Sequence, residues 1–179
     1  MRALGALDPA PDGGAWLAVT RLGEPASYAL LCVALVLVAV ARRRPRWALA
    51  VPVTMLGSEL CAQALKQLLA APRPGVPAGR LIGDAAWPSG HSTAAMTAAL
   101  LAVLLAPRRW RGPVALAGAV GALAVGIGMV VTGSHYPTDV AGGYLCAGIW
   151  VTAATMAVAA WDRRRPPVRA RGGDAAAVS

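Results

Sequence analysis

Long apolar runs separated by short polar interruptions dominate the chain. Residues 25–41, between Glu24 and Arg42, contain no charge. A second run covers residues 47–65 and is broken only by Glu59. A third opens near Pro88-Ser89-Gly90-His91 and ends before Arg108, a fourth lies between Arg111 and His135, and a fifth between Asp139 and Asp162. A helix needs about 20 mostly apolar residues to cross the hydrocarbon core of a bilayer. The pattern therefore predicts an all-α integral membrane protein with about five transmembrane helices, the first of them short. No strand-like alternation competes with this reading. Residues 14–23 carry Trp16, Leu17, Val19 and Leu22 beside Arg21, which predicts a short N-terminal helix lying in the interface.

Charge orients the bundle. The formal net charge is +9 over 179 residues, but the basic residues form short Arg clusters between apolar runs. That arrangement fits membrane topology and argues against a nucleic-acid surface. Arg42, Arg43, Arg44 and Arg46 separate the first two spans, Arg108, Arg109 and Arg111 the third and fourth, and Arg163, Arg164, Arg165, Arg169 and Arg171 follow the fifth. Twelve of the seventeen basic residues thus share one side, the cytoplasmic one by the positive-inside rule. The N-terminus is then outside and the C-terminus inside.

The length and the mean hydropathy of +0.56 predict one membrane domain over 1–162. A basic, Pro-, Gly- and Ala-rich cytoplasmic tail, expected to be disordered, covers 163–179. No apolar stretch precedes Asp8, so no cleaved signal peptide is expected. Cys32, Cys61 and Cys146 lie inside apolar runs and read as small buried hydrophobes, not as a disulfide framework. Abundant Ala, Gly and Arg with no Phe suit a GC-rich bacterial genome.

On this topology the polar residues gather at the outer end. The segment 66–84, the Pro88–His91 opening of span three and the His135–Asp139 opening of span five all lie there, and they hold both histidines and the single lysine. Ionisable residues at a membrane edge are functional candidates by default. Three blocks follow in order: Lys66 with Arg73-Pro74 after six intervening residues, Pro88-Ser89-Gly90-His91, and His135 with Asp139 after three. Together they resemble the signature of the type 2 phosphatidic acid phosphatases, the lipid phosphate phosphatase family, over residues 60–145. In one respect the chain departs from that pattern. Where the third block usually opens with Ser-Arg, this sequence has Gly128-Met129.

The resemblance implies a metal-independent lipid phosphate or diphosphate phosphatase that needs no cofactor, working at the extracytoplasmic face of a bacterial plasma membrane. His135 is then the nucleophile, forming a phosphohistidine, with Asp139 orienting it, and His91 the general acid and base. Lys66 and Arg73 supply positive charge to the phosphate. Arg73 stands between Pro72 and Pro74, where a helix cannot continue, and its planar fork suits two phosphate oxygens. Pro88 fits a first helical turn, leaving the amides of Ser89, Gly90 and His91 to face an anion. Arg80, outside the family pattern, is the candidate replacement for the missing third-block arginine. Two histidines and few clustered carboxylates make a poor metal site.

The expected partners are the bilayer and a lipid phosphate whose tail stays within it. A polyprenyl diphosphate or another polyprenyl-linked phosphate comes first, phosphatidate or phosphatidylglycerol phosphate next. A family member that binds lipid phosphate without turning it over remains open, as does, less favourably, a vanadate-dependent haloperoxidase. Taken singly, each site residue also has a structural reading: Lys66 as a snorkelling anchor, Arg73 as a solvated loop residue, Ser89-Gly90 as helix-start chemistry, and His135–Asp139 as a structural hydrogen bond. Glu59 and Gln63 share a helix face with Lys66. They read as a buried acid paired within the bundle or neutral by protonation, with a proton path or a headgroup contact as the alternative. Trp47, Trp110 and Trp161 read as cytoplasmic interface anchors, and Trp87 as an outer one that also walls the pocket.

Overall fold

A computed structural model of the chain describes residues 24–69 and 86–164, together with Trp16, Val19 and Arg21. Within these residues the chain folds into five helices and no strand: α1 (Pro25–Ala41), α2 (Pro45–Leu69), α3 (Gly90–Leu105), α4 (Arg111–Val131) and α5 (Pro137–Arg164). A 3₁₀ turn, Arg108–Trp110, leads into α4. The protein is an all-α integral membrane protein, as the apolar runs predict. Most of the predicted interfacial helix (14–23) and all of 165–179 in the predicted tail lie outside the described residues; Arg163 and Arg164 still belong to α5.

Among the described residues three segments are long and apolar enough to cross a membrane: Pro45–Leu69, Arg108–Val131 and Pro137–Arg164. The other two apolar helices are shorter, with 17 residues in α1 and 16 in α3. At 1.5 Å per residue α3 spans about 24 Å, less than the roughly 30 Å of hydrocarbon. One end of α3 therefore stops short of a membrane surface, and irregular backbone is tolerated at that depth only where it is buried in protein or lines a cavity.

The Arg-rich ends meet, which fixes the alternating direction of the helices. Arg44 Nη1 donates to the Leu104 carbonyl at 3.1 Å, and Arg42 donates to Leu105. These carbonyls belong to the last turn of α3, where no helical donor remains. Arg46 at the start of α2 pairs with Asp162 near the end of α5, and its guanidinium lies 5.6 Å from the centroid of the Trp161 ring. Everything at the other end of the helices is thereby collected at the opposite pole.

Helix α3 is the central post, packing against all four others. Its Ala, Ser and Thr residues allow this close approach. Leu35, Ala39, Val51, Met55, Ala98, Leu101, Leu105 and Val151 form the main core among α1, α2, α3 and α5. Val125, Met129 and Val140 form a second cluster between α4 and α5, with Tyr144 packed on it. The Tyr144 hydroxyl donates to Ala122 of α4 at 2.6 Å. Thr97 Oγ1 donates to Ser58 Oγ at 3.2 Å, tying α3 to α2. Leu30, Leu116, Leu145 and Ile149 are 68–72% exposed, an apolar belt that suits acyl chains and not water.

Candidate active site

A cavity of about 740 Å³ opens at the pole opposite the Arg clusters. Its polar wall comes from Glu59, Gln63 and Lys66 of α2, Gly90 and His91 of α3, and Thr132, Ser134 and His135 of the α4–α5 turn. Its apolar wall includes Pro25, Tyr28, Ala29 and Cys32 of α1 with Pro52, Met55 and Leu56 of α2. Both histidines and the single lysine of the chain thus line one space, with a hydrocarbon-like surface continuous with them.

The α4–α5 turn is built by a left-handed glycine. Helix α4 ends at Thr132, and Gly133 takes φ of +68°. Gly133 N donates to Val130 O at 3.0 Å and Ser134 N to Met129 O at 3.1 Å, the pair of bonds that closes a Schellman motif. His135 N also donates to Met129 O, at 3.0 Å. The backbone of Met129 therefore anchors His135, and Met129 itself both borders the cavity and packs with Val125 and Val140.

Pro137 then opens α5. Asp139 sits in the first turn, where a carboxylate favours the positive helix end, and Oδ2 accepts from Tyr136 N at 2.8 Å. The same oxygen lies 3.3 Å from His135 Nδ1, with both side chains buried. Since a carboxylate only accepts, Nδ1 carries the hydrogen, and in the neutral ring the lone pair is then on Nε2. The spacing of four suggests a shared helical face, but His135 precedes the helix. The pair meets because Asp139 folds back to cap Tyr136.

The second block is positioned by α5. Ser89 N donates to the Asp139 carbonyl at 2.9 Å, and Ser89 Oγ accepts from Ser92 N at 3.4 Å as the N-cap of α3. Ser89 is fully buried; its amide is committed to α5, and its hydroxyl oxygen accepts at the start of α3. Pro88 is not in the first helical turn: the helix starts at Gly90, after a cis Trp87–Pro88 peptide. Trp87 packs its indole over Gly142 and is not among the cavity-lining residues.

Lys66 lies in the last turn of α2, and the α2 face meets Gly90 directly. A Cβ placed on Gly90 would stand 3.0 Å from Glu59 Oε1, 3.4 Å from Gln63 Nε2 and 3.6 Å from Lys66 Nζ. Glu59 Oε1 accepts from Gln63 Nε2 at 2.6 Å, so the polar line expected on α2 is real and borders the second block. Arg73 and Arg80 lie outside the described residues. Among the described residues no group of three or more His, Cys, Asp or Glu side chains is gathered as a metal site.

The architecture matches a known membrane phosphatase. The first transmembrane PAP2-type phosphatidylglycerolphosphate phosphatase from Bacillus subtilis superposes with a TM-score of 0.66, at 24% identity, over 88% of this chain and 79% of that one. At that identity the likeness establishes the fold. The PAP2 superfamily model matches residues 47–165, about two thirds of the chain, and the chain belongs to that superfamily, the type 2 phosphatidic acid phosphatases that its three blocks resemble. No curated protein matches the sequence.

Several residues that shape the site escape a motif reading. Gly142 and Gly143 of α5 let α3 approach: a Cβ on Gly143 would stand 2.6 Å from Ser89 O, and one on Gly142 2.5 Å from the Trp87 ring nitrogen. The adjacent glycine pair inside an apolar run is the signal that was available. Gly133, just past an apolar run and before a polar pair, is a helix-stop signal of the ordinary kind. Thr132 and Ser134, hydroxyls on the cavity wall, carry no signal beyond their nearness to His135.

Proposed function

We propose that this chain hydrolyses lipid phosphates through a phosphohistidine on His135, without a metal ion, at the extracytoplasmic face of a bacterial membrane. The observation that carries this reading is the buried His135–Asp139 pair beside His91 and Lys66, at one end of a cavity whose other wall is apolar. A headgroup fits the polar end while its tail lies along α1 and α2.

In the first step the Nε2 lone pair of His135 attacks phosphorus as the ester P–O bond breaks. Asp139 stabilises the imidazolium that develops, and His91 gives its proton to the leaving alkoxide. In the second step His91 takes a proton from water, whose oxygen attacks phosphorus. The P–N bond breaks, and inorganic phosphate leaves with His135 restored. Phosphoryl transfer of this kind depends mostly on positioning and charge neutralisation. Lys66 provides one cation, Arg73 a second, and Arg80 takes the place of the arginine for which Met129 stands; Gly90 lets the phosphate approach the start of α3.

Polyprenyl diphosphate or a polyprenyl-linked phosphate is the first substrate to try, followed by phosphatidate and phosphatidylglycerol phosphate. The second reading, a protein that binds lipid phosphate without turnover, is favoured by one observation only, the apolar Met129 side chain on the cavity wall. Purified protein in detergent, assayed for phosphate release with EDTA present and with His135→Ala alongside, separates the two. Release that survives the chelator and disappears in the variant supports the enzyme. Binding without release above the variant supports the lipid-binding protein.

A further inference from the structure

The mechanism above leaves unused Glu59, the one carboxylate among the described residues that line the cavity. Its Oε1 accepts from Gln63, whereas Oε2 is sealed from solvent and has no hydrogen-bond donor among the described residues. A buried carboxylate oxygen without a donor is costly, and an acid beside an anion site adds like-charge repulsion when phosphate arrives. Glu59 is nonetheless pressed against Gly90, the residue at the start of α3, with Lys66 Nζ close to the same point.

Its place along α2 indicates what meets it. Met55 and Leu56 lie about one turn to one side of it on the apolar wall, and Lys66 two turns to the other on the polar wall. A lipid phosphate with its phosphorus near Lys66 and His91 and its tail against Tyr28, Cys32 and Met55 must carry its connecting atoms past Glu59. A bare hydrocarbon there leaves the carboxylate with Gln63 as its one donor among the described residues. A hydroxyl toward which Glu59 turns adds a second hydrogen bond, and a bond to a carboxylate is among the strong ones.

We propose that Glu59 is a specificity-determining residue selecting lipid phosphates whose leaving alcohol carries a hydroxyl close to the phosphoester, as in a polyol or a sugar. The proposal rests on the phosphatase reading and narrows its substrate class. It places phosphatidylglycerol phosphate, and polyprenyl-linked compounds with a hydroxylated group before the terminal phosphate, ahead of polyprenyl diphosphate, whose leaving group has no such hydroxyl, and so reverses the order that the resemblance alone suggests.

Two diacyl lipids with the same chains test it: phosphatidylglycerol phosphate, which has a free hydroxyl next to the phosphoester carbon, and phosphatidate, in which that position is acylated. The readout is the ratio of their kcat/KM values, in the full-length protein and in Glu59→Gln. The wild type should prefer the hydroxylated lipid, and Glu59→Gln should reduce that ratio about tenfold or more, the scale of one charge-assisted hydrogen bond. A ratio unchanged by the substitution, including an equal fall for both lipids, overturns the proposal. Equilibrium binding of the same lipids to His135→Ala, with and without Glu59→Gln, reads the preference without turnover. A wild type that releases no phosphate would defeat the phosphatase reading, while the binding ratio still decides the role of Glu59.

Discussion

Replacing Gly143 by alanine tests how closely α5 sets the position of the second block. The added Cβ would lie 2.6 Å from Ser89 O and 3.0 Å from both Ser92 Cβ and Thr93 N. Carbon and oxygen in contact normally stand about 3.3–3.6 Å apart, so the first turn of α3 must retreat by roughly 0.7–1 Å. It cannot do so freely. Ser89 O already accepts from Thr93 N and Thr93 Oγ1, each at 2.9 Å, and Ser89 N is bonded to the Asp139 carbonyl. The shift therefore carries Gly90 and His91 away from His135. A misplacement of about 1 Å costs on the order of 10²-fold in rate, and overpacking costs about 1–3 kcal/mol of stability. The expected result is a 10- to 100-fold loss of kcat in the phosphate-release assay, with a lowered but cooperative melting transition. Gly148→Ala, further along the same helix where nothing lies within 4 Å, is the matched control. A Gly143→Ala protein within about twofold of wild-type kcat, or a loss equal to that of the control, would refute the reasoning.

Three further substitutions address separate parts of the site. Asp139→Asn replaces the carboxylate beside His135 Nδ1 by a neutral amide, which cannot stabilise the imidazolium and can present its NH2 to the ring, and should lower kcat by about 10²–10⁴ while lipid binding persists; retention of more than about a tenth of the rate would separate Asp139 from the chemistry. Gly133→Ala forces a side chain into φ of +68° and should cost about 1–2 kcal/mol, seen as a lower melting temperature with a parallel loss of rate; an unchanged melt would contradict the account of the turn. Arg80→Ala should reduce turnover by about 10²–10³ if it replaces the third-block arginine, and unchanged turnover and phosphate affinity would remove it from the site.

The alternating direction of the helices was legible because charge placement and helix ends are both written locally. The Arg42–Arg46 and Arg108–Arg111 clusters mark one end, and the contacts of Arg42 with Leu105, Arg44 with Leu104 and Arg46 with Asp162 reproduce that grouping in the fold. The three blocks were legible because their residue types are rare in apolar spans and recur in order. What spacing could not convey was the use of backbone. His135 and Asp139, four apart, suggested one helical face, yet the pair forms through a turn closed by Gly133 and a cap on Tyr136. The Ser89 amide reads as one facing an anion, but it is bonded to the Asp139 carbonyl of α5, while the hydroxyl oxygen caps α3. Small residues such as Gly142 and Gly143 blend into the composition of any membrane helix, and only the approach of Trp87 and Ser89 reveals their role.

The central claim is that phosphate passes covalently through His135. Full-length protein incubated with a ³²P-labelled lipid phosphate and quenched in alkali should retain label on the chain, stable to base and released by acid. The label should accumulate in His91→Ala, where hydrolysis of the intermediate stalls, and be absent from His135→Ala. Turnover by the wild type with no acid-labile label in either the wild type or His91→Ala, or labelling that persists in His135→Ala, would contradict the account.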